Sequence, residues 1–197
     1  MTTPTLILAS TSPRRRELLA TLGVEFRTAA VDIDETPAQG EGADAMVLRL
    51  AVGKARAAPA APGSVVIGAD TAVVLGSRIF GKPAGADDAL AMLAALSGRT
   101  HRVVTGVAVR CGDAVSTALS STDVRFRDID PDEAARYWHS GEPHDKAGAY
   151  AIQGRGGIFV EAIMGSYSGV VGLPVFETAR LLAAAGVDVL GDAAATT

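Results

Sequence analysis

SVVIGADTAVVLGSRIFGKP, residues 64–83, decides how this chain folds. Two β-rich apolar runs and a third short one are divided by Gly68-Ala69-Asp70 and by Gly76-Ser77, which predicts strands separated by turns. Asp70 places a charge inside one of the most apolar stretches of the chain. A carboxylate buried without partners is costly, so it is paired with a cation, bound to a metal, or is a turn aspartate between two strands. Gly68 and Ala69 leave room beside it and Thr71 adds a hydroxyl, an arrangement that also suits a general base.

Upstream, TLILAS reads as a short apolar strand that runs into a helix starting at Ser12-Pro13, with the serine as N-cap and the proline at the first helical position. Leu18, Leu19 and Leu22 share one face until Gly23 ends it. VEFRTA alternates as a half-buried strand does, and the acidic loop DIDETPAQGEG follows. From Asp44 to Ala58, Met46, Val47, Leu50 and Ala51 form one stripe of an amphipathic helix, with Lys54 one turn further along, and APAAPG closes it.

Downstream, Asp87 to Leu96 reads as a helix. HRVVTGVAVR and AVSTALSSTDVRFR read as long antiparallel strands around a hairpin turn, and Asp130-Pro131 starts a helix that ends near Gly141. The glycine-rich residues 145–174 read as strand and loop, Pro174 opens a last helix through Ala185, and residues 190–197 form a tail. Helices interleaved with strands, several antiparallel, predict an α/β fold with a mixed sheet in one domain spanning residues 1–197, or at most two small lobes.

Of the 197 residues, 48% are apolar, which suffices for a sizeable core. No apolar run approaches the roughly 20 residues that cross a bilayer, and the N-terminus lacks the pattern of an export signal. A net charge of -4 and a pI near 5.3 argue against broad nucleic-acid or anionic-membrane binding, so a cationic cluster here marks a local site. Cys111 stands alone, which excludes an intramolecular disulfide and a cysteine zinc cluster, and cytoplasm is the expected compartment.

Arg14, Arg15 and Arg16 follow Pro13 at a helix N-terminus, where cations are disfavoured by about 0.3 to 1 kcal/mol each. Either they are solvated beside Glu17, or the strand-to-helix loop and two of the guanidinium groups form a phosphate site, for which Arg14 and Arg15 are better placed than Arg16. Asp32, Asp34 and Glu35 could hold a hard cation or be a solvated loop. Lys54 and Lys82, as lysines, read first as solvent-facing. Asp145 and Lys146 read as a local pair, and the three histidines show no ligand spacing. Gln153, beside a glycine-rich turn, offers the donor and acceptor that reading a uracil or thymine edge requires, or it satisfies backbone groups at a strand end.

In order, LASTSPRRRELL, DIDET, GADTAVVL, GKP, LSGRTHRVVTGVAV, STDVRF, GEPHDKAGAYAIQGRGG and GSYSGVVGLPVFET resemble the Maf family of nucleoside triphosphate pyrophosphatases over roughly residues 5–185. The resemblance implies an elongated mixed sheet flanked by helices, two lobes with a cleft, similar to the inosine triphosphatase group, and often a homodimer. It implies metal-dependent hydrolysis of a nucleoside triphosphate between the α and β phosphates. GADT and DKAGAYAIQG look like the branch acting on dTTP and UTP, not the one acting on 7-methyl-GTP.

Carried over by position, Asp70 matches the proton acceptor, and Arg14, Thr71 and Gln153 match positions that choose the base. Glu35, Lys54 and Lys82 match polar positions of the phosphate and metal cleft, and Ser10 and Arg15 join the substrate-binding set. Glu35 with Asp70 is expected to hold a divalent cation, Mg2+ or Mn2+. Gly169 stands where the family more often has Asn or Ala, and the third arginine is extra; neither touches the expected site. Two rival roles come with the resemblance: a non-enzymatic nucleotide-binding regulator of septum formation, and removal of modified nucleotides.

Overall fold

A computed structural model describes residues 4–190, so all but the first residue of the tail expected over 190–197 lies outside the described residues. The elements in chain order are β1 (Leu6–Leu8), α1 (Pro13–Ala20), β2 (Phe26–Thr28), α2 (Ala43–Ala57), β3 (Val65–Leu75), β4 (Arg78–Phe80), α3 (Ala86–Leu96), β5 (Thr100–Cys111), β6 (Ala114–Phe126), α4 (Pro131–His139), β7 (Val160–Met164), α5 (Tyr167–Val171) and α6 (Val175–Ala184). The strands form one mixed sheet in the order β2-β1-β3-β5-β6-β7, with β4 on β3. β1 runs parallel to both β2 and β3, while β4 and β7 pair antiparallel with β3 and β6.

The largest departure from the sequence reading lies in the opening stretch. Gly68-Ala69-Asp70 is not a turn between two strands: β3 runs unbroken for 11 residues through it. Pairing explains this, because Leu6, Ile7 and Leu8 lock onto Val65, Val66 and Ile67 just before Gly68. Farther along, Val73 to Leu75 pair with β4. Tertiary pairing thus overrides the local preference of glycine and aspartate for turns.

By contacts the chain forms two compact units, the first comprising residues up to Asp70, Thr105–Leu119 and residues from Gly172 on, the second Thr71–Val104 and Ser120–Val171. In the first unit both sheet faces are buried, which accounts for the continuous apolar runs. Leu6, Leu8, Val65, Ile67, Val107 and Val109 pack with Leu19 of α1 and Leu182 of α6. The alternate residues Ile7, Val66 and Ala108 pack with Ala51 and Ala55 of α2.

The α2 backbone lies very close to the sheet. A Cβ added at Gly106 would stand 2.6 Å from the Val47 carbonyl oxygen, and one at Gly68 would overlap the carbonyl of Ala51. Both glycines therefore serve close approach. Arg110 secures the far end of α2, donating from Nε to the Ala55 carbonyl at 2.8 Å and from Nη2 to that of Ala58 at 3.0 Å, where the last helical carbonyls lack intrahelical partners.

The second unit has one core, built around Phe80, Leu93, Leu96, Phe126, Tyr150 and Phe159. His101 is buried in it, with Nε2 2.9 Å from the Tyr150 hydroxyl and its ring edge-on to Phe126. Helix α4 starts as its sequence predicts, the Asp130 carboxylate accepting from the amides of Asp132 and Glu133. Ser12 sits at the N-cap of α1 but makes no side-chain cap hydrogen bond. Residues 145–174 hold more helix than expected, 3-10 turns at Ala147–Ala149 and Arg155–Phe159 and the short α5, and another 3-10 turn at Glu142–Asp145 leads into them.

Candidate active site

Lys54 sits on the sheet-facing side of α2 because it continues the stripe of Val47, Leu50 and Ala51 at helical spacing. A lysine there is only 9% exposed, so its ammonium requires anionic partners. It has two: Nζ lies 2.7 Å from Asp70 Oδ1 and 2.7 Å from Glu35 Oε1. The close seat of α2 at Gly68, two residues before Asp70, sets this distance. The carboxylates differ in setting, the Asp70 side chain being 13% exposed and that of Glu35 53%.

The loop carrying Glu35 is fastened to α2. A Cβ at Gly53 would stand 3.1 Å from Ile33 Cδ1, so the missing side chain leaves space for Ile33. Arg49 grips Glu41 with two hydrogen bonds of 2.7 Å each and donates to the Thr36 carbonyl at 3.1 Å. With the Ala38 amide, that fork holds the Glu41 carboxyl down at about 2. The three acids of the loop do not converge on a cation as a set: Asp34 turns its Oδ1 to the Thr36 amide at 2.9 Å, and Glu35 alone among them is paired with Lys54. Among the described residues no three acidic, histidine or cysteine groups gather around one point.

Of the α1 arginines, Arg15 lies in the field of the same two carboxylates. Arg14 and Arg15 are half-buried and Arg16 is exposed. Arg15 Nε donates to the Gly172 carbonyl at 2.9 Å. Burial lowers the pKa of the Arg15 guanidinium, the charge of Asp70 opposes this, Arg14 adds to it, and Glu35 again opposes it. Ser10 is buried at the end of β1, and its Oγ accepts from the Ser12 amide at 3.2 Å.

The first unit thus holds Ser10, Arg14, Arg15, Glu35, Lys54 and Asp70. Thr71, Lys82 and Gln153 belong to the second. Thr71 is half-buried on β3 and Lys82 is exposed in the bend after β4, where the Gly81 carbonyl accepts from the Gly148 amide at 3.1 Å. Gln153 is exposed in a tight turn closed by a 3.1 Å hydrogen bond from the Gly154 amide to the Ala151 carbonyl. It does not satisfy the end of a strand, the plainer of its two readings.

Asp145 and Lys146 do form an ion pair, and Lys146 also donates to the Glu142 carbonyl at 3.2 Å. The sequence reading missed Arg110, the Arg49–Glu41 fork and a carboxylate network at Glu142. Their partners lie at irregular separations along the chain, so no periodicity announces them.

Such an array can hold a polyanion and accept a proton: two arginines at a helix start, a sheltered lysine, and two carboxylates around it. No helix among the described residues is long and apolar enough to cross a membrane.

A family model described as Maf-like protein matches residues 5–185. The chain is 56% identical over 179 residues to a dTTP/UTP pyrophosphatase of Methylococcus capsulatus, with 90% of this chain and 89% of that protein covered. A protein of the same name from Myxococcus xanthus is 55% identical over 183 residues, covering 92% and 93% of the two chains. Another from Hahella chejuensis is 51% identical over 191 residues, covering 95% of each.

Proposed function

This chain belongs to the Maf family, and from that membership we propose that it hydrolyses dTTP and UTP between the α and β phosphates, yielding the nucleoside monophosphate and pyrophosphate. The observation that carries the reading is the convergence of Asp70 and Glu35 on Lys54 within the field of Arg15. Arg14 and Arg15, at the start of α1, bind the phosphate oxyanions, with Ser10 beside them, and Lys54 adds positive charge; Lys82 keeps the phosphate-binding role that its family position implies. The attacking water gives its proton to the Asp70 carboxylate as its oxygen bonds to phosphorus, and the bridging P–O bond breaks to release pyrophosphate. Fixed groups aimed at the charge that grows in the transition state usually lower the barrier of such chemistry more than any other effect.

The residues fit a divalent cation. Glu35 and Asp70 already direct one oxygen each at a single positive point, and hard anionic oxygens are the donors Mg2+ and Mn2+ take. A divalent ion held by these two carboxylates, with Lys54 turned to the phosphates, would neutralise the phosphate oxygens. Gln153, exposed at a turn, reads the pyrimidine edge through its amide, and Thr71 and Arg14 each keep the part in the choice of base that their family positions imply. The activity belongs in the cytoplasm, where an exposed Cys111 stays reduced.

A panel of canonical and modified nucleoside triphosphates, with and without EDTA, tests this. Monophosphate and pyrophosphate are expected, fastest from dTTP and UTP, lost in EDTA and restored by Mg2+ or Mn2+. Binding without turnover of any nucleotide overturns the enzyme reading in favour of a regulator, and a preference for purine or modified nucleotides overturns the substrate.

A further inference from the structure

Glu142 is absent from the machinery above, yet its carboxylate accepts three hydrogen bonds from within the second unit. It opens the 3-10 turn Glu142–Asp145 and is half-buried. Oε1 accepts from the Tyr137 hydroxyl at 2.6 Å and from the Gly156 amide at 3.0 Å, and Oε2 accepts from the Arg155 amide at 2.9 Å. The Tyr137 oxygen in turn accepts from the Ala151 amide at 3.1 Å.

These donors bracket Gln153. Ala151 opens the turn on which Gln153 stands, and Arg155 and Gly156 follow it, so the backbone on both sides is fastened to one tyrosine–carboxylate pair. The glycines of the stretch permit the wrap. A Cβ at Gly156 would stand 2.5 Å from the Tyr137 hydroxyl, and one at Gly154 would overlap the Glu142 carboxylate.

The pair is itself rooted. Tyr137 is 5% exposed and packs edge-on against Phe159, with ring centroids 5.1 Å apart. Burial alone would push the Glu142 carboxyl up; the Tyr137 hydroxyl, the amides of Gly156 and Arg155 and the charge of Lys146 outweigh it, leaving the group below the usual carboxylate range. Three internal donors occupy this carboxylate in the folded chain, so it acts on its neighbours' geometry.

We propose that Glu142, seated on Tyr137, is a positioning residue that fixes the Gln153 turn and thereby sets the preference for pyrimidine over purine triphosphates. The inference rests on the reading of Gln153 as the base-reading residue. An exposed amide discriminates between donor and acceptor patterns only if its backbone is held, because a side chain that follows a loose turn satisfies any edge. The carboxylate supplies that hold without touching the nucleotide.

The test compares kcat/KM for dTTP and dGTP in the wild type, Glu142→Gln, Tyr137→Phe, Gln153→Ala and the double variant Glu142→Gln/Gln153→Ala. Glu142→Gln keeps the shape but sets an amide donor against a backbone donor. It is expected to lower the dTTP/dGTP ratio about tenfold, the equivalent of one well-placed hydrogen bond. Tyr137→Phe, which keeps the carboxylate and its two backbone donors, is expected to lower it less, and the double variant no further than Gln153→Ala alone.

If Gln153→Ala changes the ratio and Glu142→Gln does not, or if Glu142→Gln slows all nucleotides equally, the positioning role is overturned while the base-reading role stands. An unchanged ratio in Gln153→Ala overturns both. Should the variants fail to fold, amide exchange in the wild type decides: Arg155 and Gly156 are expected to exchange at least about 100-fold slower than unbonded loop amides, and absence of protection overturns the proposal.

Discussion

Asp70 in the first unit and Glu142 in the second are both half-buried carboxylates, and they are held in opposite ways. Asp70 is met by an ammonium at the end of a flexible four-carbon stem, shared with Glu35. Glu142 is met by a hydroxyl anchored in the core and by two backbone amides. A cation on a long stem can turn to a ligand and leave the fold in place, whereas a backbone amide cannot. The same chemical group therefore serves reaction in one setting and geometry in the other, and the mobility of its partners separates the two.

The contrast breaks most readily at Asp70. Asp70→Asn keeps the shape and removes the base, so kcat is expected to fall by about 10²- to 10⁴-fold with nucleotide binding retained, as isothermal titration would read. Undiminished turnover would remove Asp70 from the mechanism. Lys54→Met sharpens the comparison by leaving two carboxylates facing each other without their cation. A roughly hundredfold loss in kcat/KM is expected, because the positive charge offered to the phosphates and the cation between the two acids are lost together. An undiminished kcat/KM would mean that Lys54 takes no part in the reaction.

The smallest effect concerns stability, in the second unit. Burial pushes the His101 imidazole down to about 4 from 6.5. The unfolded chain then binds more protons than the folded one between those values, so stability falls as pH drops from 6.5 toward 4 and levels off above 6.5. The shift corresponds to about 3 kcal/mol at the acid end. Carboxylates held low, such as Glu133 and Glu142, add their own loss only below the ordinary range of glutamate. Denaturant unfolding across this range should show the slope, and His101→Gln, which does not titrate, should flatten it.

Much of this was legible in the sequence, and the particulars show why. Asp70 stood out because a charge in an apolar run needs a partner; Lys54 lay one turn beyond the apolar stripe and its residue type pointed to solvent, a reading that its burial overturns. Asp130-Pro131 announced the start of α4 through a cap that forms as its chemistry dictates. The continuity of β3 through Gly68-Ala69-Asp70 was hidden, because those residues favour a turn until β1 and β4 pair on either side. Among the loop acids only packing could choose, since Ile33 against Gly53 brings Glu35 to Lys54 while Asp34 turns to Thr36. The Tyr137–Glu142 network spans separations of 5 to 14 residues that match neither helix nor strand.

The hydrogen bond from Arg15 to the Gly172 carbonyl spans 157 positions of sequence. Arg15 thus waits for 157 further residues to be synthesised before its anchor exists. Nascent or prematurely terminated chains that stop short of residue 172 lack that anchor, however well β1 and β3 have already paired.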